Sequence, residues 1–208
     1  MDTSVALVKA YPQINGNFCV KEYSLMETAK GGKVRTLSDL DMHAFRFPHA
    51  GGEISVRKWH KLVGEARFQL DTGLGAPRVR ADMIIGEVKR GQARFSPTAR
   101  KPKVLVGALM RFGCCNPLQS KDLAYDLHQH THSESEYGHR IRMVAFGGAD
   151  DNEDSGVSLS KWRIIYIKKI ARCLRRHLHD NRNVLRRVPF ATCSPFWSVS
   201  RTRRKSAS

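Results

Sequence analysis

The chain has 208 residues, 41% of them hydrophobic, which is enough to bury a real core in one domain with an appendage and excludes disorder throughout. Lys and Arg number 36 against 19 Asp and Glu, a net charge of +17 with a pI near 10.1, and that balance points to a polyanionic partner, nucleic acid first. The charge is uneven: residues 160–208 hold 14 Lys or Arg and one acid, Asp180, so +13 sits there and only +4 on residues 1–159.

Five cysteines are present, Cys19, Cys114, Cys115, Cys173 and Cys193. An odd count, an adjacent pair and no C-x-x-C spacing argue against a secreted disulfide framework or a zinc ribbon, so free thiols in a reducing compartment are expected. Met1-Asp2-Thr3-Ser4 lacks the basic start and apolar core of a signal peptide, and no run approaches the ~20 apolar residues of a membrane span. A cytoplasmic protein is the expectation.

In chain order, Ser4 is placed to cap a short helix whose apolar face is Val5, Leu7, Val8 and Tyr11, ending near Pro12 and Asn15-Gly16. Asn17 to Met26 reads as a strand, closed by the Gly31-Gly32 turn. Glu22 within it is a candidate auxiliary acid, with a solvent-facing strand residue as the plainer reading. From Leu40 the alternation of Leu40, Met42 and Ala44 against Asp39, Asp41 and His43 predicts a strand presenting acids to one face, stopped by Pro48. Residues 49–80 show no clear period and are read as an excursion with a short helix around Lys58 to Leu70.

The stretch Ala81 to Gly91 is the centre of the sequence. Met83-Ile84-Ile85 predicts a buried strand, and it runs straight into Glu87-Val88-Lys89. Residues two apart on a strand share a face, so a carboxylate and an ammonium project side by side from the end of a buried element. Charge there is costly unless paired or bound to a metal, which makes a site candidate, with an exposed ion pair as the competing reading.

Ser96-Pro97 predicts a helix start, with the regular part from about Lys103 to Phe112, an inward stripe of Val104, Leu105, Ala108 and Leu109, and a stop at Gly113. Residues 116–138 read as polar and without an element, and Ile141 to Phe146 as a further strand before Gly147-Gly148. His128, His130 and His132 alternate as strand-borne metal ligands would, but no acid or Cys stands at a matching spacing. Asp151, Glu153, Ser155 and Gly156 imitate the first half of a calcium loop, yet Trp162 occupies the position that needs a bidentate Glu, so a solvated acidic loop is expected. Gly73-x-Gly75 is too short for a dinucleotide fingerprint. A basic amphipathic helix over about 160–179 follows, with Trp162, Ile165, Ile167, Ile170, Ala171, Leu174 and Leu178 inward and Lys168, Lys169, Arg172, Arg175 and Arg176 outward as candidate nucleic-acid contacts. Such a helix also suits an anionic membrane surface, RNA, or plain docking with a solvated face. Residues 181–208 form a basic tail, expected to be disordered.

Asp41 on one strand and Glu87-Val88-Lys89 on a later one resemble the motif of the PD-(D/E)XK, or restriction-endonuclease-like, nuclease superfamily. More closely, Arg35 to Asp41, Arg46-Phe47-Pro48, Asp82 to Lys89 and Arg111 to Cys115 are similar to a family of uncharacterised bacterial proteins carrying this pattern, over roughly residues 5–178. One departure is Leu40, where the motif name has Pro.

The resemblance implies an α/β restriction-endonuclease-like core over residues 1–180, a mixed central sheet flanked by helices, and a hydrolase cutting phosphodiesters of nucleic acid, DNA ahead of RNA. It implies Mg²⁺ or Mn²⁺ held by Asp41, Glu87 and the Val88 carbonyl, with Lys89 orienting the attacking water and stabilising phosphoryl charge. Asp39, on the face of Asp41, is a candidate auxiliary ligand alongside Glu22; Asp82 lies an odd number of positions from Glu87 and is read as structural. The alternative is a catalytically inactive nucleic-acid-binding module on the same fold.

Overall fold

Met83, Ile84 and Ile85 are all buried, with helices covering both faces of the strand that carries them. The computed structural model describes residues 3–29, 31–51, 53–58, 61–67, 70–148 and 163–182, with the backbone alone for Thr3, Glu22 and residues 53–58 and 61–67. The elements run α1 (Thr3–Ile14), β1 (Phe18–Thr28), β2 (Val34–Arg46), β3 (Glu53–Lys58), β4 (Lys61–Arg67), β5 (Asp82–Gln92), α2 (Pro102–Phe112), α3 (Ser120–His130), β6 (His132–Glu134), β7 (Arg140–Gly148), β8 (Arg163–Tyr166) and α4 (Ile167–Asp180).

The main sheet is mixed, in the order β1-β2-β5-β7-β6. β1, β2 and β5 are antiparallel neighbours, while β7 runs parallel to β5. One edge of β7 is shared: its start takes β6 antiparallel and its end takes β8 parallel. Strand alternation then sorts the side chains into two cores. Met83, Ile85, Ile141, Met143 and Ala145 meet α2 and α3, whereas Ile84, Val144, Phe146, Met42 and Ala44 meet α1 and α4.

The ends of the helices follow local chemistry. The α1 carbonyls at Tyr11 and Pro12 accept from the amides of Asn15 (2.8 Å) and Asn17 (2.9 Å). Pro102 opens α2, and Gly113 closes it in the left-handed region at φ 63°, donating its N–H to Leu109 and Met110.

Several elements differ from the sequence reading, each for a local reason. The helix expected around Lys58 to Leu70 is instead the second half of a β3–β4 hairpin, since Ile54 and Val56 favour pleated backbone and Gly64 weakens a helix. The segment 116–138 contains α3 and β6; Leu123, Ala124 and Leu127 bury a narrow stripe that the surrounding polar residues obscure. Ser96-Pro97 does not start α2, which begins at Pro102. In the basic C-terminal element, residues 163–166 pair with β7 as a strand before α4 begins, in keeping with the two-residue spacing of Ile165 and Ile167. Leu40 packs with the α2/α3 core although Met42 and Ala44 face the other way; it lies past the Met42↔Gly86 end of the β2–β5 ladder, where β1 and β2 continue as a two-stranded ribbon, an arrangement that in general twists more than a wider sheet. The acidic loop with its calcium-like pattern, Trp162, and the tail from Asn183 onward lie outside the described residues.

Among the described residues no helix is long and apolar enough to cross a membrane. The described cysteines, Cys19, Cys114, Cys115 and Cys173, are free thiols. Burial pushes Cys19 and Cys114 up to about 12 and Cys173 to about 11, so all three are held protonated.

Candidate active site

The end of β5 builds the site. The β2–β5 ladder stops at the Met42↔Gly86 pair, so Val88 has no ladder partner on β2 and donates its N–H to Asp41 Oδ2 at 2.7 Å. Asp41 thus closes the sheet where the two strands separate, and its carboxylate lies beside the backbone of the Glu87-Val88-Lys89 run.

Glu87 follows Met83 and Ile85 onto the α2/α3 face and is only 6% exposed. One of its oxygens, Oε2, accepts the Ser96 N–H at 2.7 Å, and the other, Oε1, meets the Lys89 ammonium at 2.6 Å. The pair is lopsided in exposure, with 7% of the Glu87 side chain open against 37% of that of Lys89. Water therefore reaches the ammonium more freely than the carboxylate.

Lys89 owes this position to a bulge. On β7, Phe146 and Gly148 are two residues apart, yet their β5 partners Val88 and Gln92 are four apart, so two extra residues are accommodated around Lys89 to Gly91. The chain then folds back over β7. A Cβ on Gly147 would lie 2.8 Å from Ala93 Cα and from Gly91 O, so only glycine permits this approach. Ala93, Phe95 and Ala99 anchor the returning loop in the core and so fix the Ser96 N–H under Glu87. A cavity of about 500 Å³ opens beside it, lined by Lys89, Arg94, Phe95, Ser96 and Pro97.

The donor set suits a hard cation: the Asp41 and Glu87 carboxylates offer oxygen, and the Val88 carbonyl faces the same strand edge as its N–H in extended backbone. Among the described residues no three His, Cys, Asp or Glu side chains surround a common point. An ion here would complete its shell with water, as Mg²⁺ does.

The other expected residues are distributed as follows. Asp39 is exposed and accepts from Ser24 Oγ at 2.5 Å across β1. Glu22 lies in β1 between the Lys21↔Met42 and Tyr23↔Leu40 pairs, with its side chain outside the described residues. His43, on the face of Asp41, is 2% exposed and stacked between Tyr23 and Phe112, its ring centroids 5.5 and 4.5 Å away. Its Nε2 has no partner and burial lowers its pKa to about 4, so it is a neutral core residue. Asp82 points to the α1/α4 side, fully buried, bound by Arg142 through Nε (2.9 Å) and an end nitrogen (2.7 Å).

Among the described residues the three histidines form no metal-holding group. His128 and His130 end α3 and His132 starts β6, and the first of these turns Nδ1 to the Arg100 carbonyl at 2.9 Å. Lys168, Lys169, Arg172, Arg175 and Arg176 are exposed on α4, and α4 packs on the face opposite Glu87 and Lys89. Lys169 is turned inward enough to fill the space left by Gly73 beside Asp71. Burial would raise the Asp71 carboxyl, but the Tyr11 hydroxyl, the Gly73 N–H and Lys169 outweigh it and hold the pKa below the usual range.

Ser96 and Gly147 escape sequence reasoning because one acts through its backbone N–H and the other through the absence of a side chain. Arg94 had a weak signal, a cation five positions after Lys89 in a run without acids. Compared with protein-family models, with curated proteins and with solved structures, the chain matches none.

Proposed function

We propose that this protein is a metal-dependent phosphodiesterase acting on nucleic acid, DNA ahead of RNA, on a restriction-endonuclease-like core. The observation that carries the reading is the assembly of Asp41, Glu87 and Lys89 at one strand end, with Asp41 tied to Val88 and Glu87 tied to Lys89. The mixed sheet, with helices on both faces and the acid on the antiparallel neighbour of the Glu-x-Lys strand, supports it. The exposed basic surface of α4, on the opposite face, supports a polyanionic partner without placing it at the site.

A Mg²⁺ or Mn²⁺ ion held by Asp41, Glu87 and the Val88 carbonyl would polarise the phosphoryl oxygens and lower the pKa of a bound water. The protein's own groups do the rest. The Val88 and Ser96 N–H groups fix the two carboxylates, which spares them reorganisation as charge develops. Lys89, reached by solvent on one side and anchored to Glu87 on the other, orients water and faces the phosphate as a cation.

One observation favours a second reading, a nucleic-acid-binding module without catalysis. Both Glu87 oxygens already have protein partners, so the carboxylate is satisfied without a metal. Plasmid and single-stranded DNA incubated with Mg²⁺ or Mn²⁺ separate the two. The wild type should cleave, and Asp41→Ala and Lys89→Ala should lose about 100-fold or more in rate. Equal activity in all three removes the nuclease assignment, and salt-sensitive binding with no hydrolysis under either metal selects the second reading.

A further inference from the structure

The loop that fixes Glu87 is also strongly basic. From Lys89 to Lys103 the chain carries Lys89, Arg90, Arg94, Arg100, Lys101 and Lys103, and no acid. Four of these cations are spoken for: Lys89 binds Glu87, Lys103 joins Arg35 on Glu27, whose carboxyl they hold below the usual range, and Arg90 and Arg100 also have partners. Arg94 is different. It is exposed, makes no ion pair among the described residues, and lines the same roughly 500 Å³ cavity as Lys89.

The densest cluster of positive charge on a described helix, α4, lies across the sheet. Its Ile170 and Leu174 pack with α1 against Ile84 and Val144, whereas Glu87 shares its face with Met83, Ile85 and α2. A strand of nucleic acid whose phosphate reaches Lys89 therefore runs along the loop after β5, and its neighbouring phosphate needs a cation there.

We infer a phosphate subsite at Arg94, the exposed cation that lines the same cavity as Lys89, where Arg94 binds the phosphate next to the one presented to Lys89. This rests on the nuclease reading for the role of Lys89, but the subsite itself makes a claim about binding alone. Buried Phe95 and the Ser96 N–H bond to Glu87 hold the loop in place, so Arg94 offers its planar fork from a fixed base.

Two measurements on the full-length protein test it. In cleavage of a labelled single-stranded oligonucleotide with Mg²⁺, Arg94→Ala should raise KM roughly tenfold with kcat changed less than about threefold, and Arg94→Lys should recover part of the loss. In EDTA, where no cleavage occurs, binding of the same oligonucleotide is followed against salt in a background of Arg172→Ala, Arg175→Ala and Arg176→Ala, which lowers the α4 contribution. There Arg94→Ala should weaken binding roughly tenfold and reduce the salt slope by about one. Unchanged binding in EDTA overturns the subsite whether or not the protein cleaves. Weakened binding with no cleavage by any form upholds the subsite and removes the nuclease reading instead.

Discussion

Asp82 and Glu87 are two carboxylates on one strand, each paired with a cation, and they are built for different purposes. Asp82 is 0% exposed and gripped by two nitrogens of Arg142, itself 4% exposed. Glu87 is nearly as buried, but its partner Lys89 opens to solvent and offers a single ammonium. The odd separation of the two acids places them on opposite faces: one under α1 and α4, the other at the rim of the α2 layer. A carboxylate enclosed together with its partner can only hold the fold. One whose partner reaches water can take part in chemistry, and burial of the acid alone does not tell the two apart.

Breaking each pair should sharpen that contrast. Asp82→Ala leaves the Arg142 guanidinium buried without its counter-ion and should cost about 3–5 kcal/mol in denaturant unfolding, whereas Glu87→Gln should change stability far less while abolishing cleavage. If both substitutions destabilise equally, Glu87 is a structural acid like Asp82.

Acid unfolding gives the next largest effect, on the α2/α3 side. His43 is neutral in the fold with a pKa near 4, against about 6.5 when unfolded. The unfolded chain therefore binds a proton first, and stability falls as pH drops from about 6.5 to 4, by up to about 3 kcal/mol from this residue. Comparing wild type with His43→Phe, which keeps the stack on Tyr23 and Phe112, isolates the contribution; identical pH profiles would contradict the neutral assignment.

The smallest expected effect concerns the loop over β7. Gly147→Ala should cost about 1–3 kcal/mol by crowding Gly91 and Ala93, and it should lower cleavage by more than that loss of stability explains, because the displaced loop carries the Ser96 N–H that fixes Glu87.

Much of this was legible in the sequence where local pattern and burial agree. The apolar run before Glu87, the stripe and Gly113 stop of α2, and the strand from Ile141 to Phe146 all appear where their periodicity puts them. The odd spacing that set Asp82 apart from Glu87 likewise reads straight off the chain. Where a polar majority masks a narrow stripe, as in α3, or where tertiary pairing takes over a helical-looking run, as in β8, the pattern misleads. The residues supporting the site were hidden for a different reason. A backbone N–H from Ser96 and a missing Cβ at Gly147 leave no chemical signature in the residue type, so only the folded chain reveals them.

The bulge between Val88 and Gln92 also frees the site from the arithmetic of strands. In a regular strand, adding or losing one residue turns every later side chain to the other face. Here pairing with β7 skips Lys89 to Gly91 and resumes at Gln92↔Gly148. Insertions or deletions in that gap would shift the reach of the ammonium while leaving Glu87 upstream and the loop anchors downstream in phase, so the protein can drift in substrate reach without rebuilding its sheet.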